Sequence, residues 1–520
     1  MNREMLFMKF INNIELLNNI IMYITKYSRK DIEEKIDELY KLTNNLNLTE
    51  VDNTRVSYII DQRGIISDPE GMVIGNFYNH PVLGLIKLDD GAFTGNSKYD
   101  FLTWLKENTH AYVAKQTDTG LRLKQLADEN RRNFVDGSDA TPYITNTEGL
   151  YDVFIKFPVD IYYKTEPFCP PEETELNDDY ILVTLTSKLK EGEKESDWCK
   201  FSQYKLIGVY EACRINNKLY SLSGKRPVNK ISQPQSKSQA RARGNGFKIV
   251  DYEFSKLIAF LFYGYYSTLD SQTQLGYGTA NRANNVYYPK ITGQTDDLAC
   301  VDTNYITGNG AITPNNDQII AGEGSDIKSN NFWHLENIQG DLSELLDDMT
   351  VMQAKRPSSV TSSNPTIYLS DYVSVYGYPI ITKSGKDYQL TSELLEAMNE
   401  NQKFITISDI RGNITRIIQW IDFTENSDGY IKKMCFGVHA DIIAKEFGAS
   451  ANSGFCDYMG IGSSSSIVRR SSHTVDSSGG VGYLALYSLP SYASGHFGSR
   501  LLYEGSKETI HIIDDATESL

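Results

Sequence analysis

Cysteine is scarce in this sequence, and its scarcity limits the kinds of site that the chain can build. Its 520 residues include six cysteines, which form no Cys-x-x-Cys pair and show no metal-ligand spacing. We therefore predict reduced, mostly buried thiols in a protein that folds in a cytosol, with no metal site and no cofactor. The six are Cys169, Cys199, Cys213, Cys300, Cys435 and Cys456.

Long apolar runs are also missing. No segment approaches the roughly 20 apolar residues that a membrane span needs, so we do not expect membrane insertion. Residues 1–24 are partly apolar, but charged and amide side chains interrupt them and no small-residue cleavage site follows. This pattern does not predict a secretory signal. If the protein acts outside the cell that makes it, we expect another route of exit, such as a particle released by lysis.

Basic residues are the minority among the charges. Lys and Arg number 51 against 67 Asp and Glu, which gives a net charge of −16. A nucleic-acid backbone needs a basic stripe, so this balance argues against nucleic acid as a partner and leaves glycans and proteins open. Residues 225–246 are locally basic, and a solvated loop is the favoured interpretation.

Catalytic motifs are absent as well. The sequence has no His-Glu-x-x-His, no Gly-x-Ser-x-Gly, no P-loop, and no dinucleotide-binding glycine motif between a strand and a helix. The seven histidines show no ligand spacing apart from His334 and Glu336, a pair that we predict to order a turn. Carboxylate pairs such as Asp347 and Asp348 are common in so acidic a chain and do not indicate a glycosidase. We therefore predict a protein that is not an enzyme.

Tyrosine is the residue that the chain has in abundance. It occurs 34 times, against 21 Phe, 4 Trp and only 15 Pro. Chains rich in tyrosine and poor in proline are often rich in β-structure, with rings on half-exposed faces. A length of 520 residues exceeds one ordinary core and predicts two to four domains.

Residues 1–50 carry a helical pattern. Ile14, Leu17, Ile21 and Ile24 follow helical spacing, and Ser28–Asp31 has the form of a capping box that opens a second helix. In that helix Ile32, Leu39 and Leu46 stand seven residues apart. Such a pattern is typical both of a helix that zips to copies of itself and of an amphipathic pair packed on its own chain, and both interpretations remain open.

The residues after position 50 predict short strands and irregular connections, with two clear helices. Periodicity predicts helices over Phe101–Thr109 and Tyr252–Tyr266, the second with apolar side chains on one face. The charged run near residues 170–200 predicts a solvated hairpin around a strand. The predicted strands are Val56–Ile60, Val73–Ile74, Ala111–Lys115, Leu121–Leu126, residues 150–163, Tyr180–Thr186, Tyr368–Tyr378, Phe404–Ile407, Arg416–Phe423 and Tyr430–Val438.

The stretch Gly454–Glu504 has apolar ends and a long middle of Ser, Gly, Tyr, Arg and His. Tyrosine and arginine give a large contact area at modest entropic cost, while serine and glycine adapt around them. The composition indicates a displayed binding surface. On composition alone, a Ser/Gly-rich loop that merely connects strands is an equal alternative.

Six short motifs in chain order carry a resemblance to a known family. They are Asn108–Lys115, Leu206–Ala212, Ala240–Gly244 ahead of the helix at Tyr252–Gly264, Phe332–Gly340, Phe455–Tyr458 and Gly498–Leu502. The stretch from about Lys106 to Glu504 resembles the C-type-lectin-like fold of formylglycine-generating-enzyme-type modules. It is similar to the receptor-binding proteins of gut Bacteroidales phages and to the variable proteins of diversity-generating retroelements. Asp341 and Leu345 depart from the family, which more often has asparagine and an aromatic residue there.

The pattern of strands and helices, together with the resemblance, predicts a fold class and a domain organisation. The first 90 or so residues and the tail Ser506–Leu520 lie outside the resemblance. We expect an α+β fold, with an N-terminal helical segment followed by a C-type-lectin-like domain of short strands and long irregular loops. Residues 1–50 would form a helical attachment and oligomerisation segment, and residues 51–105 an extended connecting subdomain. Residues 106–505 would be the lectin-like module, with the charged hairpin inserted near 170–200, and residues 506–520 a tail.

The resemblance also implies that the C-terminal loops form the binding face. Aromatic rings stack on sugar faces, and Arg and His donate to hydroxyls or carboxylates. In the run around residue 485, alternation requires that one pair be buried, either Tyr483 with Tyr487 or Leu484 with Leu486. The candidate ligand contacts are Tyr458, Arg469, Arg470, His473, Tyr483, Tyr487, Tyr492 and His496.

These observations predict a bacteriophage virion protein, a tail or head fibre that acts as a receptor-binding adhesin for a glycan or protein on the host surface. It would assemble in the bacterial host cytoplasm, bind other virion proteins and form a homo-oligomer, with a trimer favoured. One alternative is a purely structural virion component with a vestigial lectin-like fold. Another is an oxidase or hydrolase on the same scaffold, although Cys435 and Cys456 are better interpreted as packed thiols than as paired active-site cysteines.

Overall fold

The structure is a computed structural model that describes part of the chain. The described residues are 54–62, 73–80, 84–89, 101–168, 179–276, 289–298, 302–306, 328–353, 366–367, 388–389, 403–409, 414–418, 428–461, 466–471, 479–513 and 520. All belong to one compact unit, Thr54–Leu520. The predicted helical segment at residues 1–50, the predicted strand Tyr368–Tyr378 and the candidate site residue His473 lie outside the described residues.

The fold is mostly β, so the predicted α+β class is wrong. The structure has 44% strand against 17% helix, and it includes a sheet curled into a half-barrel. The longest strand among the described residues, Ser343–Gln353, is not among the predicted strands. Strand pairing links residues that are distant in sequence, which explains why local periodicity underestimated it. The tyrosine-rich composition was the better guide to fold class.

Five helices lie within the described residues. They are α1 (Phe101–Glu107), α2 (Thr141–Ile144), α3 (Gln233–Arg241), α4 (Tyr252–Tyr266) and α5 (Ser271–Leu275). The predicted helix at Phe101–Thr109 corresponds to α1, and the predicted bounds of α4 are those of the structure. Residues 225–246, predicted as a basic loop, contain α3, whose first turn is closed by a capping box between Ser232 and Gln235.

The strands are short and follow one another along the whole described chain. The first fifteen are β1 (Arg55–Asp61), β2 (Val73–His80), β3 (Gly84–Asp89), β4 (His110–Thr117), β5 (Gly120–Gln125), β6 (Tyr151–Lys156), β7 (Ile161–Pro167), β8 (Tyr180–Thr186), β9 (Cys199–Phe201), β10 (Lys205–Glu211), β11 (Cys213–Ile215), β12 (Lys218–Tyr220), β13 (Phe247–Ile249), β14 (Thr303–Ile306) and β15 (Lys328–Phe332). The others are β16 (Leu335–Glu336), β17 (Ser343–Gln353), β18 (Thr366–Ile367), β19 (Tyr388–Gln389), β20 (Lys403–Ser408), β21 (Ile414–Ile418), β22 (Asp428–Phe436), β23 (Asp441–Phe447), β24 (Tyr458–Ile461), β25 (Ser466–Arg470), β26 (Leu484–Ser488), β27 (Phe497–Gly498), β28 (Arg500–Glu504) and β29 (Ile510–Ile512).

Three large sheets organise these strands. The first has the order β3-β2-β1-β8-β7-β9, and the second the order β13-β28-β10-β6-β4-β5-β29. The third, which carries the candidate site, has the order β21-β20-β17-β25-β26-β24-β22-β23, with β27 paired to β17. Smaller sheets join β11 with β12, β18 with β19, and β14 with β15 and β16. The segment predicted as a C-terminal tail contains β29, which pairs in parallel with β5.

The run at residues 150–163, predicted as one strand, forms β6 and β7 in two different sheets. Proline lacks the N–H that a central strand donates, so Pro158 marks the break between them. β1, which lies in the segment predicted as an extended connection, pairs with both β2 and β8 and is buried along its whole length.

Helix α4 lies in the main hydrophobic core and is buried nearly all round. Twelve of its fifteen residues are buried, although periodicity predicted one apolar face. Asp251 caps the helix by accepting a hydrogen bond from the Phe254 N–H at 3.0 Å. Near the other end, a Cβ on Gly264 would lie 2.6 Å from the ring of Tyr58, so the close approach of β1 requires glycine at this position. The three large sheets thus pack around a helix that the sequence located correctly.

Candidate functional site

Three of the eight predicted contact residues are buried in the structure. The exposed fraction is 1% for Arg469, 0% for Arg470 and 4% for Tyr483. The two arginines lie in β25, a central strand between β17 and β26, and all five residues of that strand are buried. A ligand at the surface cannot contact Arg470 or Tyr483 without a rearrangement of the core.

Four of the predicted residues do reach the surface. Tyr487 is 46% exposed and Tyr492 is 55% exposed. Tyr458 and His496 are half-buried. The sequence left open whether the leucines or the tyrosines around residue 485 are buried. In the structure Leu484 and Leu486 of β26 are the buried pair. Tyr483 is buried in addition, since it precedes the strand and does not take part in its alternation.

Three tyrosines lie along one face of the third sheet, where three strands meet in register, and Tyr492 follows β26 in the chain. Tyr430 of β22 is directly opposite Tyr458 of β24, and Gly460 of β24 is directly opposite Ala485 of β26. Side chains two apart in a strand share a face, so Tyr487 lies on the same side as Ala485. We call the row formed by Tyr430, Tyr458, Tyr487 and Tyr492 the tyrosine strip.

At one end of the strip, Tyr430 and Tyr458 pack edge to face, with ring centroids 5.6 Å apart. The exposed Asp428 lies beside them and hydrogen bonds to the Tyr458 hydroxyl. Partial burial, that hydrogen bond and the charge of Asp428 raise the pKa of Tyr458 to about 12, so its hydroxyl remains a donor at neutral pH. This end of the strip offers two ring faces, a phenolic hydroxyl and a carboxylate acceptor.

The middle of the strip depends on a glycine. A Cβ on Gly460 would lie 3.3 Å from the ring of Tyr487 and 3.6 Å from Cε1 of Tyr458. The Tyr487 ring therefore lies over the bare backbone of β24, next to Tyr458. A larger residue at position 460 would separate the two rings and interrupt the strip.

At the far end, Arg469 joins Tyr487 to Tyr492. The Arg469 guanidinium carbon lies 5.1 Å from the ring centroid of Tyr487 and 4.2 Å from that of Phe497. The Phe497 ring in turn packs edge to face against Tyr492, with centroids 5.5 Å apart. A continuous series of contacts thus runs from Tyr487 through Arg469 and Phe497 to Tyr492.

Beneath the strip, buried ion pairs tie the third sheet to the second. Glu344 of β17 accepts a hydrogen bond from Nη1 of Arg470 at 2.5 Å and one from Nε of Arg500 at 2.7 Å. Arg500, in β28, also donates to the carbonyl oxygens of Gly208 and Val209 in β10. These contacts connect β25 and β17 to the second sheet and hold the strip on a rigid base.

Asp457, immediately before β24, holds the loop that leads into β26. Its two carboxylate oxygens accept the N–H groups of Gly480 and Gly482. Burial raises the pKa of Asp457 from 3.8 to about 7, against the opposing effect of these two donors. The tyrosines of β24 and β26 are thus fixed relative to each other by one buried carboxyl group.

The shifted pKa of Asp457 predicts how stability depends on pH. A folded-state pKa above the unfolded value means that the group stabilises the fold most below about pH 4, and that this contribution is lost as pH rises to about 7. Each pKa unit corresponds to about 1.4 kcal/mol. We expect urea denaturation between pH 5 and pH 8 to show a free energy of unfolding that decreases, with Asp457→Asn decreasing less steeply.

Burial also raises the pKa of Glu336 and of Asp348 to about 7, so part of the wild-type slope remains in the Asp457→Asn variant. The informative quantity is therefore the difference between the two slopes. Parallel slopes for the two proteins would show that Asp457 keeps an ordinary pKa in the folded state.

Sequence reasoning missed Asp428, Tyr430 and Phe497 as members of the site. The strand containing Tyr430 was predicted, but nothing in the sequence pairs it with Tyr458, since the register is set by the folded sheet. The His334/Glu336 pair was predicted to order its own turn, whereas Glu336 accepts the N–H groups of Gly293 and Thr295 in another segment.

The described residues also bear on metal binding, membrane crossing and thiol reactivity. Within them, no group of three or more His, Cys, Asp or Glu residues is placed to hold a metal ion, and no helix is long and apolar enough to cross a membrane. Cys456 is buried, and burial raises the pKa of its thiol, which disfavours the reactive thiolate. Comparison with protein-family models and with curated proteins finds no match for this chain.

Proposed function

We propose that this protein is a bacteriophage virion component, a tail or head fibre, that acts as an adhesin and binds a glycan or protein on the host surface through the tyrosine strip. The observation that supports the proposal is the strip itself, four rings in series on a rigid sheet. Large aromatic side chains with few rotatable bonds give contact area at low entropic cost.

The chemistry of the strip fits a saccharide better than a flat apolar partner. The C–H faces of a pyranose pack on tyrosine rings, while the hydroxyl of Tyr458 and the carboxylate of Asp428 can hydrogen bond to sugar hydroxyls. Three of the four tyrosines follow one another across neighbouring strands, an arrangement that suits one segment of an extended polymer. We therefore place a host surface glycan ahead of a host protein.

The proposal includes partners within the particle. Residues 1–50 would attach the protein to other virion proteins and bring copies together, with a trimer favoured. Sedimentation velocity of the full chain, compared with a chain that begins at Thr54, tests this part. We expect the full chain to sediment as a trimer and the shorter chain as a monomer, and identical sedimentation of the two would contradict it.

A cell-binding experiment tests the adhesin proposal. Fluorescently labelled protein is incubated with a panel of intact gut Bacteroidales strains, with and without the purified surface polysaccharide of each strain as competitor. We expect saturable binding to some strains and its loss with the matching polysaccharide. A protein that is firmly incorporated into purified particles but binds no strain would instead be a purely structural virion component.

A further inference from the structure

Arg469 differs from the other buried arginines in lacking a carboxylate. Among the described residues, Arg131 pairs with Asp296, Arg243 with Asp152, and Arg470 and Arg500 with Glu344. Arg469 is equally buried, yet within the described part of the chain its Nε and Nη1 atoms have no hydrogen-bond partner and the side chain forms no ion pair. Among the residues that the structure describes, one cation under the strip therefore has no counter-charge.

The rings around Arg469 compensate this charge only in part. Cation–π contacts with Tyr487 and Phe497 stabilise the guanidinium. Removing a guanidinium from water without a paired anion costs more than such contacts return. A balance of this kind is typical of a site whose missing partner arrives with the ligand.

The neighbouring titratable group does not provide the missing charge. His496 lies beside Arg469, and burial together with the positive charge of Arg469 lowers the pKa of His496 to about 4. His496 is therefore neutral at pH 7 and adds neither a counter-ion nor a competing cation.

The register places an acid and a base at opposite ends of one row across the sheet. Asp428 is opposite Gly460, Gly460 is opposite Ala485, and Ala485 is opposite Arg469. With strands about 4.8 Å apart, the two ends of this row are separated by about 14 Å. That distance suits a short oligosaccharide lying across the strands, with its hydroxyls near Asp428 and an anionic group near Arg469.

We propose that the strip binds an acidic saccharide, one that contains a hexuronic or nonulosonic acid, and that Arg469 recognises its carboxylate. The inference rests on the proposed function and specifies the class of glycan. The carboxylate enters between the exposed rings of Tyr487 and Tyr492, which turn aside as exposed side chains do on fast timescales. The guanidinium then donates to the carboxylate oxygens and gains the partner that it lacks in the free protein.

Binding to matched pairs of glycans tests this inference. Immobilised hexuronic-acid and nonulosonic-acid oligosaccharides are each compared with the counterpart whose carboxyl group has been reduced to an alcohol. A charge-assisted hydrogen bond contributes about 1.5–3 kcal/mol, so we expect the wild-type protein to prefer an acid by about 10-fold to 100-fold. Arg469→Met keeps the packing between the rings and should bind acid and alcohol equally.

Two controls separate recognition from folding. Arg469→Lys keeps the charge and should retain part of the preference. Arg132→Gln removes a surface guanidinium that pairs with Asp297 elsewhere and should leave the preference unchanged.

The thermal stability of Arg469→Met should equal or exceed that of the wild type, because an unpaired buried charge is removed. The pKa of His496 in this variant, measured by NMR, should rise.

The outcomes separate this inference from the proposed function. Equal binding of acid and alcohol by the wild type, or an acid preference that persists in Arg469→Met, would overturn the role of Arg469 and leave the adhesin proposal intact. If protease treatment of the cells abolishes binding and no glycan is bound, the acidic-saccharide inference would be overturned in favour of a protein receptor. Absence of binding to both cells and glycans would overturn the adhesin proposal itself.

Discussion

Replacing Glu344 with alanine is expected to lower the free energy of unfolding by about 3–5 kcal/mol, a large share of the stability of an ordinary domain. Glu344 is fully buried and serves as the only ion-pair partner, among the described residues, for two fully buried arginines. The alanine variant leaves Arg470 and Arg500 as uncompensated charges in a medium of low dielectric. Chemical denaturation monitored by tryptophan fluorescence measures the loss.

The matched control is a bidentate pair near the surface. Glu193 accepts from both terminal nitrogens of Arg55, and its side chain is 23% exposed. Because solvent screens this pair and replaces lost hydrogen bonds, Glu193→Ala should cost about 1 kcal/mol or less. A loss for Glu344→Ala no greater than that for Glu193→Ala would show that the buried network does not hold the second and third sheets together.

The sequence located α4 because its signals are local. A run of apolar residues at helical spacing lies within fifteen consecutive positions and acts between near neighbours. Local signals also located β4 and β5, from the turn between them, and β8, from the charged runs on either side of it. What the local pattern missed was the environment of α4, because sheets from distant parts of the chain cover all its faces.

The buried arginines show the limit of this kind of inference. Arg469 and Arg470 stand in a polar stretch, and arginine is rarely buried unless it is paired, so the sequence indicated an exposed face. The partner that makes burial of Arg470 tolerable is Glu344, 126 residues earlier in the chain. No local pattern contains that information, and the same holds for the register that places Tyr430 beside Tyr458.

Replacing both Tyr487 and Tyr492 with alanine is expected to reduce binding to host cells at least about 100-fold, with little change in stability. Central aromatic contacts of an interface cost about 2 kcal/mol or more each on truncation, and two such losses correspond to two or three orders of magnitude in the dissociation constant. Both rings are about half exposed, so their removal leaves only a small cavity. Cell binding across a range of protein concentrations measures the loss.

The control for the double variant is a tyrosine on another sheet. Tyr162 of β7 is half-buried, contacts Lys200 and Glu195, and lies outside the strip, so Tyr162→Ala should bind cells as the wild type does. Because the Tyr487 ring lies close over Gly460, Gly460→Val should displace that ring and reproduce part of the loss without removing any aromatic group. Tyr487 and Tyr492 supply the exposed aromatic surface at their end of the strip. Undiminished binding by the double variant would therefore place the receptor contact elsewhere on the protein.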